Sequence, residues 1–137
     1  MSSWVWWSLL ALFTWGIWGF FPKLATRYMS PQSIIIYEVI AGLSIAAVCL
    51  FSTGFKPETH PRGILFACLA GVAGLLGGLF YLFAVARGKV SVIVTLTALY
   101  PIITIALAAV LLKEPVTLKQ GFGMVLAVLS IILLATP

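Results

Sequence analysis

Five apolar stretches of 18 to 24 residues follow one another along this 137-residue chain, at 4–21, 33–51, 63–86, 90–112 and 118–135. No other feature constrains the fold as strongly. A helix needs roughly 20 residues to cross about 30 Å of hydrocarbon. A backbone in lipid must satisfy its own hydrogen bonds, which helices and closed barrels achieve, and these runs are too long for barrel strands. The fold class they dictate is all-α integral membrane, with five transmembrane helices in one domain over residues 1–137. The lipid bilayer is then the solvent. Only 8% of the residues are charged, against about 25% in soluble domains.

Polar clusters punctuate the runs. Pro22 and Lys23 are placed to close the first helix. Ser30-Pro31 opens the second with a cap residue and a proline at the first helical position. STGFKPETHPRG is the one polar loop of any size, and Pro61 restarts a helix after it. Arg87-Gly88-Lys89 reads as a tight turn, and Lys113-Glu114-Pro115 stops the fourth helix. Thr117 and Gln120 have the spacing of a capping box for the fifth. With loops this short, sequential helices are antiparallel neighbours. The N-terminus lacks a basic region and a small-residue cleavage motif, so the first helix is expected to be retained.

Several functions are excluded. The net charge of +5 comes from eight Lys and Arg residues scattered in pairs, without the basic stripe or aromatic platform that nucleic acid requires. No nucleic-acid partner is expected. Cys49 and Cys68 sit in apolar runs without metal-ligand spacing, and His60 stands alone in a loop. No metal, cofactor or catalytic residue is expected, and the chain is not read as an enzyme.

The positive charges serve better as topology markers. Five crossings put Lys56, Arg62, Lys113 and Lys119 on the side of the N-terminus, and Lys23, Arg27, Arg87 and Lys89 on the other. The positive-inside rule compares Lys and Arg across short loops, and here four stand against four. Either copies insert both ways and pair antiparallel, or the tie is broken by residues flanking the first helix or by a partner. Dual topology is the expectation.

One acid lies inside an apolar run. Glu38 sits in QSIIIYEVIAGL, about 10 Å along the second helix from Pro31 at roughly 1.5 Å per residue. A charge at the bilayer centre costs on the order of 2.5–3.5 kcal/mol. Protonation, pairing with a cation such as Lys23 or its counterpart in another subunit, or a wet pathway would relieve that cost. A structural hydrogen bond to a Tyr or Thr hydroxyl is the other reading. At 100° per residue, Glu38 shares a face with Ala41, Gly42 and Cys49. Gly71, Gly74, Gly78 and Tyr81 fall together on the third helix, and Gly123, Ala127 and Ser130 on the fifth, as close helix contact in membranes requires. Thr97, Tyr100, Pro101, Thr104 and Ala108 share a face of the fourth. Pro101 cannot donate to the carbonyl of Thr97, so a kink belongs there. Trp15 and Trp18 lie too deep for the interfacial belt that suits Trp4, Trp6 and Trp7. They either fill space or wall a cavity with stacking and cation–π contacts.

These residues resemble the drug/metabolite transporter superfamily, in particular a half-size EamA-type unit of bacteria and archaea. The likeness runs through WGIWGFFPK, SPQSIIIYEV and LFAVARGKVSVIVTLTALYPIITIALAAVLLKEPVTLKQGFGMVLAVLSIILL. It carries Ala98-Leu99-Tyr100-Pro101, then Glu114, then Gly121 and Gly123. What the resemblance implies is transport without covalent chemistry, by alternating access between two inverted five-helix units around a central cavity. Many relatives have arginine where this chain has Glu38, so the charge there is reversed. Two carboxylates in a pair of copies favour cationic or amine-bearing substrates or proton exchange.

The expectation is a multi-pass secondary transporter in the inner or plasma membrane of a prokaryote. Its partners are a second copy, as an antiparallel homodimer, or a related half-size chain, together with a small-molecule substrate. Glu38, Trp15, Trp18, Tyr81, Thr97, Tyr100 and Thr104 are the candidate substrate or coupling residues, and Pro101 is a hinge or kink element. The rival from another class is a non-transporting scaffold or regulatory subunit with a dry centre.

Overall fold

The computed structural model describes residues 3–135, among which helices are the only regular elements. They are α1 (Ser3–Ala25), α2 (Pro31–Ser52), α3 (Pro61–Arg87), α4 (Val90–Thr97), α5 (Tyr100–Leu111) and α6 (Leu118–Ala135). Four spans are long and apolar enough to cross a membrane: α1, α2, α3 and the segment Val90–Leu111, which α4 and α5 share. In α6 the shorter stretch Leu118–Leu133 is also apolar. The chain is an all-helical integral membrane protein. It divides into two compact units, one ending at Arg87 and one starting at Gly88.

In the first unit, α1 does not stop at Pro22 as its sequence suggests. Proline costs the helix the bond to the Trp18 carbonyl, yet the next turn closes through Thr26 N–H to the Pro22 carbonyl at 2.9 Å. Pro22 is itself buried, so packing holds the turn that propensity would end. α2 starts as expected. Ser30 is its N-cap, its Oγ accepts from Ser33 N–H at 3.3 Å, and Pro31 follows. It ends in a Schellman motif. Gly54, at φ 60°, supplies the left-handed residue. Phe55 N–H bonds the Leu50 carbonyl and Gly54 N–H that of Phe51, both at 3.0 Å. The rings of Phe51 and Phe55 close it edge to face, 4.8 Å apart. This is the apolar contact such motifs usually carry.

Both α1 and α2 pack on α3. The buried residues are Gly19 and Pro22 of α1, Ile34 of α2, and Gly78, Tyr81, Leu82 and Val85 of α3. All lie near the C-terminal ends of α1 and α3 or the N-terminal end of α2. Two turns away on the same faces the packing is gone. Leu82 is 0% exposed, whereas Leu75, seven residues earlier, is 46% exposed. Added Cβ atoms at Gly71 and Gly74 would meet nothing, while one at Gly78 would touch Ile35 and Trp18 at 3.6 and 3.9 Å. Of the glycine stripe in α3, this unit uses the Gly78 end.

The second unit is held differently. α4 packs against α6, and neither α4 nor α5 has a buried residue. The span breaks at Ala98-Leu99. Pro101 has no N–H for the Thr97 carbonyl. The Thr97 hydroxyl also back-bonds to the carbonyls of Ile93 and Val94 at 2.9 and 3.1 Å, a contact that bends helices. Leu99 N–H and Ile102 N–H tighten to i−3 partners, Leu96 and Leu99, at 3.2 and 3.0 Å. The capping box forms as the sequence indicates. Thr117 N–H donates to Gln120 Oε1 at 2.8 Å, and Gln120 N–H to Thr117 Oγ1 at 3.3 Å.

Candidate functional site

The Ser30 cap and Pro31 fix the phase of α2, which decides where Glu38 points. Ile34 is buried against the rest of the unit. Glu38 is four residues further on, about 40° round the helix and about 6 Å along it. Its direction falls between those of Ile34 and Ile35, and Ile35 is the residue whose Cδ1 reaches Gly78. The carboxylate therefore lies one turn beyond the packed end of the unit, where cover by the protein gives way. It is half-buried. Among the described residues no hydrogen bond or ion pair reaches it. The Lys23 ammonium is engaged at 2.7 Å with the Val85 carbonyl of α3.

Trp18 of α1 is 41% exposed, with its indole edge 3.9 Å from the Cβ position of Gly78 and its ring centroid 5.2 Å from that of Tyr81. Tyr81 is 5% exposed, and its hydroxyl donates to the Gly19 carbonyl at 2.5 Å. The structure thus brings Trp18 and Tyr81 together. Trp15, a turn away toward the open end, is 61% exposed and has no ring partner among the described residues.

The remaining candidates belong to the second unit. The Thr97 hydroxyl is turned onto its own helix, as is that of Thr104, which reaches the Tyr100 carbonyl at 3.4 Å. Tyr100 is exposed. Pro101 lines a cavity of about 290 Å³ with Ala98, Leu99, Gly123 and Ala127 among others. A smaller one of about 150 Å³ is bordered by Glu114 and Gln120. Glu114 also closes the end of α5. Its N–H joins that of Leu112 on the Ala108 carbonyl, with Lys113 between them at φ 56°. Among the described residues no group of three or more metal-ligating side chains forms.

Sequence reading missed the pair Lys23 and Gly19. The sequence marked Lys23 as a helix end and as a candidate cation for Glu38, and gave Gly19 no role. Only the tertiary register of α1 against α3 makes them partners of Val85 and Tyr81.

A half-buried acid on a lipid-spanning helix fits the class of a multi-pass membrane transporter. The comparisons give the same class and a family. The model of the EamA-like transporter family matches residues 2–136, and the chain belongs to that family. It is 31% identical over 128 residues to an uncharacterized protein of Methanocaldococcus jannaschii, a match covering 93% of each chain. It is 32% identical over 110 residues to the uncharacterized transporter YvbV of Bacillus subtilis, covering 74% of this chain and 35% of that protein. This chain thus spans about a third of YvbV. No solved structure matches it.

Proposed function

We propose that this chain is a secondary active transporter of small metabolites or organic cations. It works by alternating access as a dimer of five-helix units in the plasma membrane of a prokaryote, with proton exchange at Glu38. The observation that carries this reading is the Glu38 carboxylate, half-buried in a membrane helix and without a partner among the described residues. Such a group is functional by default. A cationic substrate and a proton compete for it, and mutually exclusive occupancy couples their opposite fluxes. Trp15 and Trp18 supply cation–π surface near it, with Tyr81 behind Trp18. Thr97, Tyr100 and Thr104 are the candidate polar contacts of the second unit, and Pro101 its hinge.

A second copy supplies the other unit. The match to about a third of YvbV supports a unit that works with another, and inverted repeats around a midplane site are a general transporter plan. The balance of four cations on each side supports antiparallel pairing through dual insertion. Proton movement driven by an added organic cation, measured in liposomes, tests the coupling. Glu38→Gln is expected to abolish the signal; an unchanged signal removes Glu38 from the mechanism. Reporter fusions at both termini are expected to find each terminus on both sides of the membrane. A single orientation would end the antiparallel arrangement.

A further inference from the structure

Two hydrogen bonds cross between α1 and α3, and they are reciprocal. The Tyr81 hydroxyl of α3 donates to the Gly19 carbonyl of α1 at 2.5 Å, and the Lys23 ammonium of α1 donates to the Val85 carbonyl of α3 at 2.7 Å. Each joins residues 62 apart, and the two lie four residues, one helical turn, from each other. The helices are therefore parallel and in a single register at this end. Both carbonyls carry weight. Val85 lies in the last turn of α3, whose orphan carbonyls and negative dipole end favour a cation. Gly19 is next to Trp18, whose carbonyl lost its helical partner to Pro22.

We propose that Tyr81 and Lys23 are positioning residues. They clasp α1 to α3 at one end and thereby hold the Trp18 indole as a fixed wall beside Glu38, while the two helices part at the other end. The clasp fixes Trp18 because Tyr81 meets its ring at 5.2 Å and the indole edge comes 3.9 Å from the Cβ position of Gly78. Gly78 is the point that Ile35 also reaches, one turn before Glu38. Toward the opposite end, Gly16, Gly71, Gly74 and Gly77 have nothing against them. Conformational change is thus confined to the end away from the clasp. The role given to Trp18 rests on the proposed site at Glu38; the clasp itself does not.

The test needs no substrate. In a protein with Cys49 and Cys68 replaced by alanine, spin labels at positions 21 and 86 report the clasp end. Labels at 10 and 72, set 62 residues apart like the clasp partners themselves, report the open end. Distance distributions in liposomes are expected to be at least twofold broader at the open end. Lys23→Met with Tyr81→Phe is expected to broaden the clasp pair to match it, whereas Lys23→Arg, which keeps a donor, leaves it narrow. Should the double variant not fold, Tyr81→Phe alone is expected to broaden the clasp pair partway. With Trp18 as the sole tryptophan, Tyr81→Phe is expected to raise its acrylamide quenching about twofold. Equal widths at both ends, or variants that change neither width nor quenching, overturn the proposal. No cation-driven proton movement in the unsubstituted protein, with the clasp intact, would overturn the transport reading instead.

Discussion

The two ends of the first unit are made from the same kinds of residue and behave differently. At one end Gly78, Leu82 and Val85 of α3 are buried against α1 and α2; at the other, Gly71, Gly74 and Leu75 are not. Hydrophobicity cannot be the cause, because lipid tails are as apolar as leucine. What distinguishes the packed end is polar: two side chains aimed at carbonyls of the neighbouring helix, and a glycine that admits Ile35 and Trp18. In lipid, small residues permit close approach, and a directed hydrogen bond decides where it happens.

Substitutions along α3 can break that comparison. The largest contrast is expected from Leu82→Ala, which should cost about 2 kcal/mol in an unfolding titration in mixed micelles. Its transfer term falls away in lipid, but the cavity term of about 24 cal/mol per Å³ remains. Leu75→Ala should cost only a few tenths of that. Gly78→Leu is next. It overpacks the Ile35–Trp18 contact at about 1–3 kcal/mol, and Gly74→Leu should be tolerated by the isolated chain. Tyr81→Phe should cost about 1 kcal/mol, the net value of one hydrogen bond. The smallest effect is a gain. Gly74→Ala should stabilise by up to about 1 kcal/mol through helix propensity alone. A loss there would show that another surface, such as a second copy, already lies on that face.

Much of this architecture was legible in the sequence, for local reasons. The Ser30-Pro31 start of α2 and the Thr117–Gln120 box involve residues a few positions apart, so spacing alone reveals them. The weakness of the Val90–Leu111 span was visible in Pro101, although the break opens two residues earlier, at Ala98-Leu99, where Thr97 back-bonds. The same rule misjudged Pro22. Its local preference says stop, while its burial in the helix bundle carries α1 on to Ala25. For the site, Glu38 and Trp18 could be singled out by type and depth. Their neighbours could not, because the phase of α2 against α3 and the alignment of Gly19 with Tyr81 are tertiary quantities. No periodicity encodes them.

The 62-residue separation of the clasp partners also has a meaning for biogenesis. The first helix leaves the ribosome long before the carbonyl its lysine will cap has been synthesised. At about 5–20 residues per second, that interval is about 3–12 s. During it the Lys23 ammonium has no Val85 carbonyl to meet, and the Gly19 carbonyl no Tyr81 hydroxyl. Assembly of this transporter is therefore timed by translation, and slowing elongation between α1 and α3 should lengthen the period in which a nascent first helix can be lost to degradation.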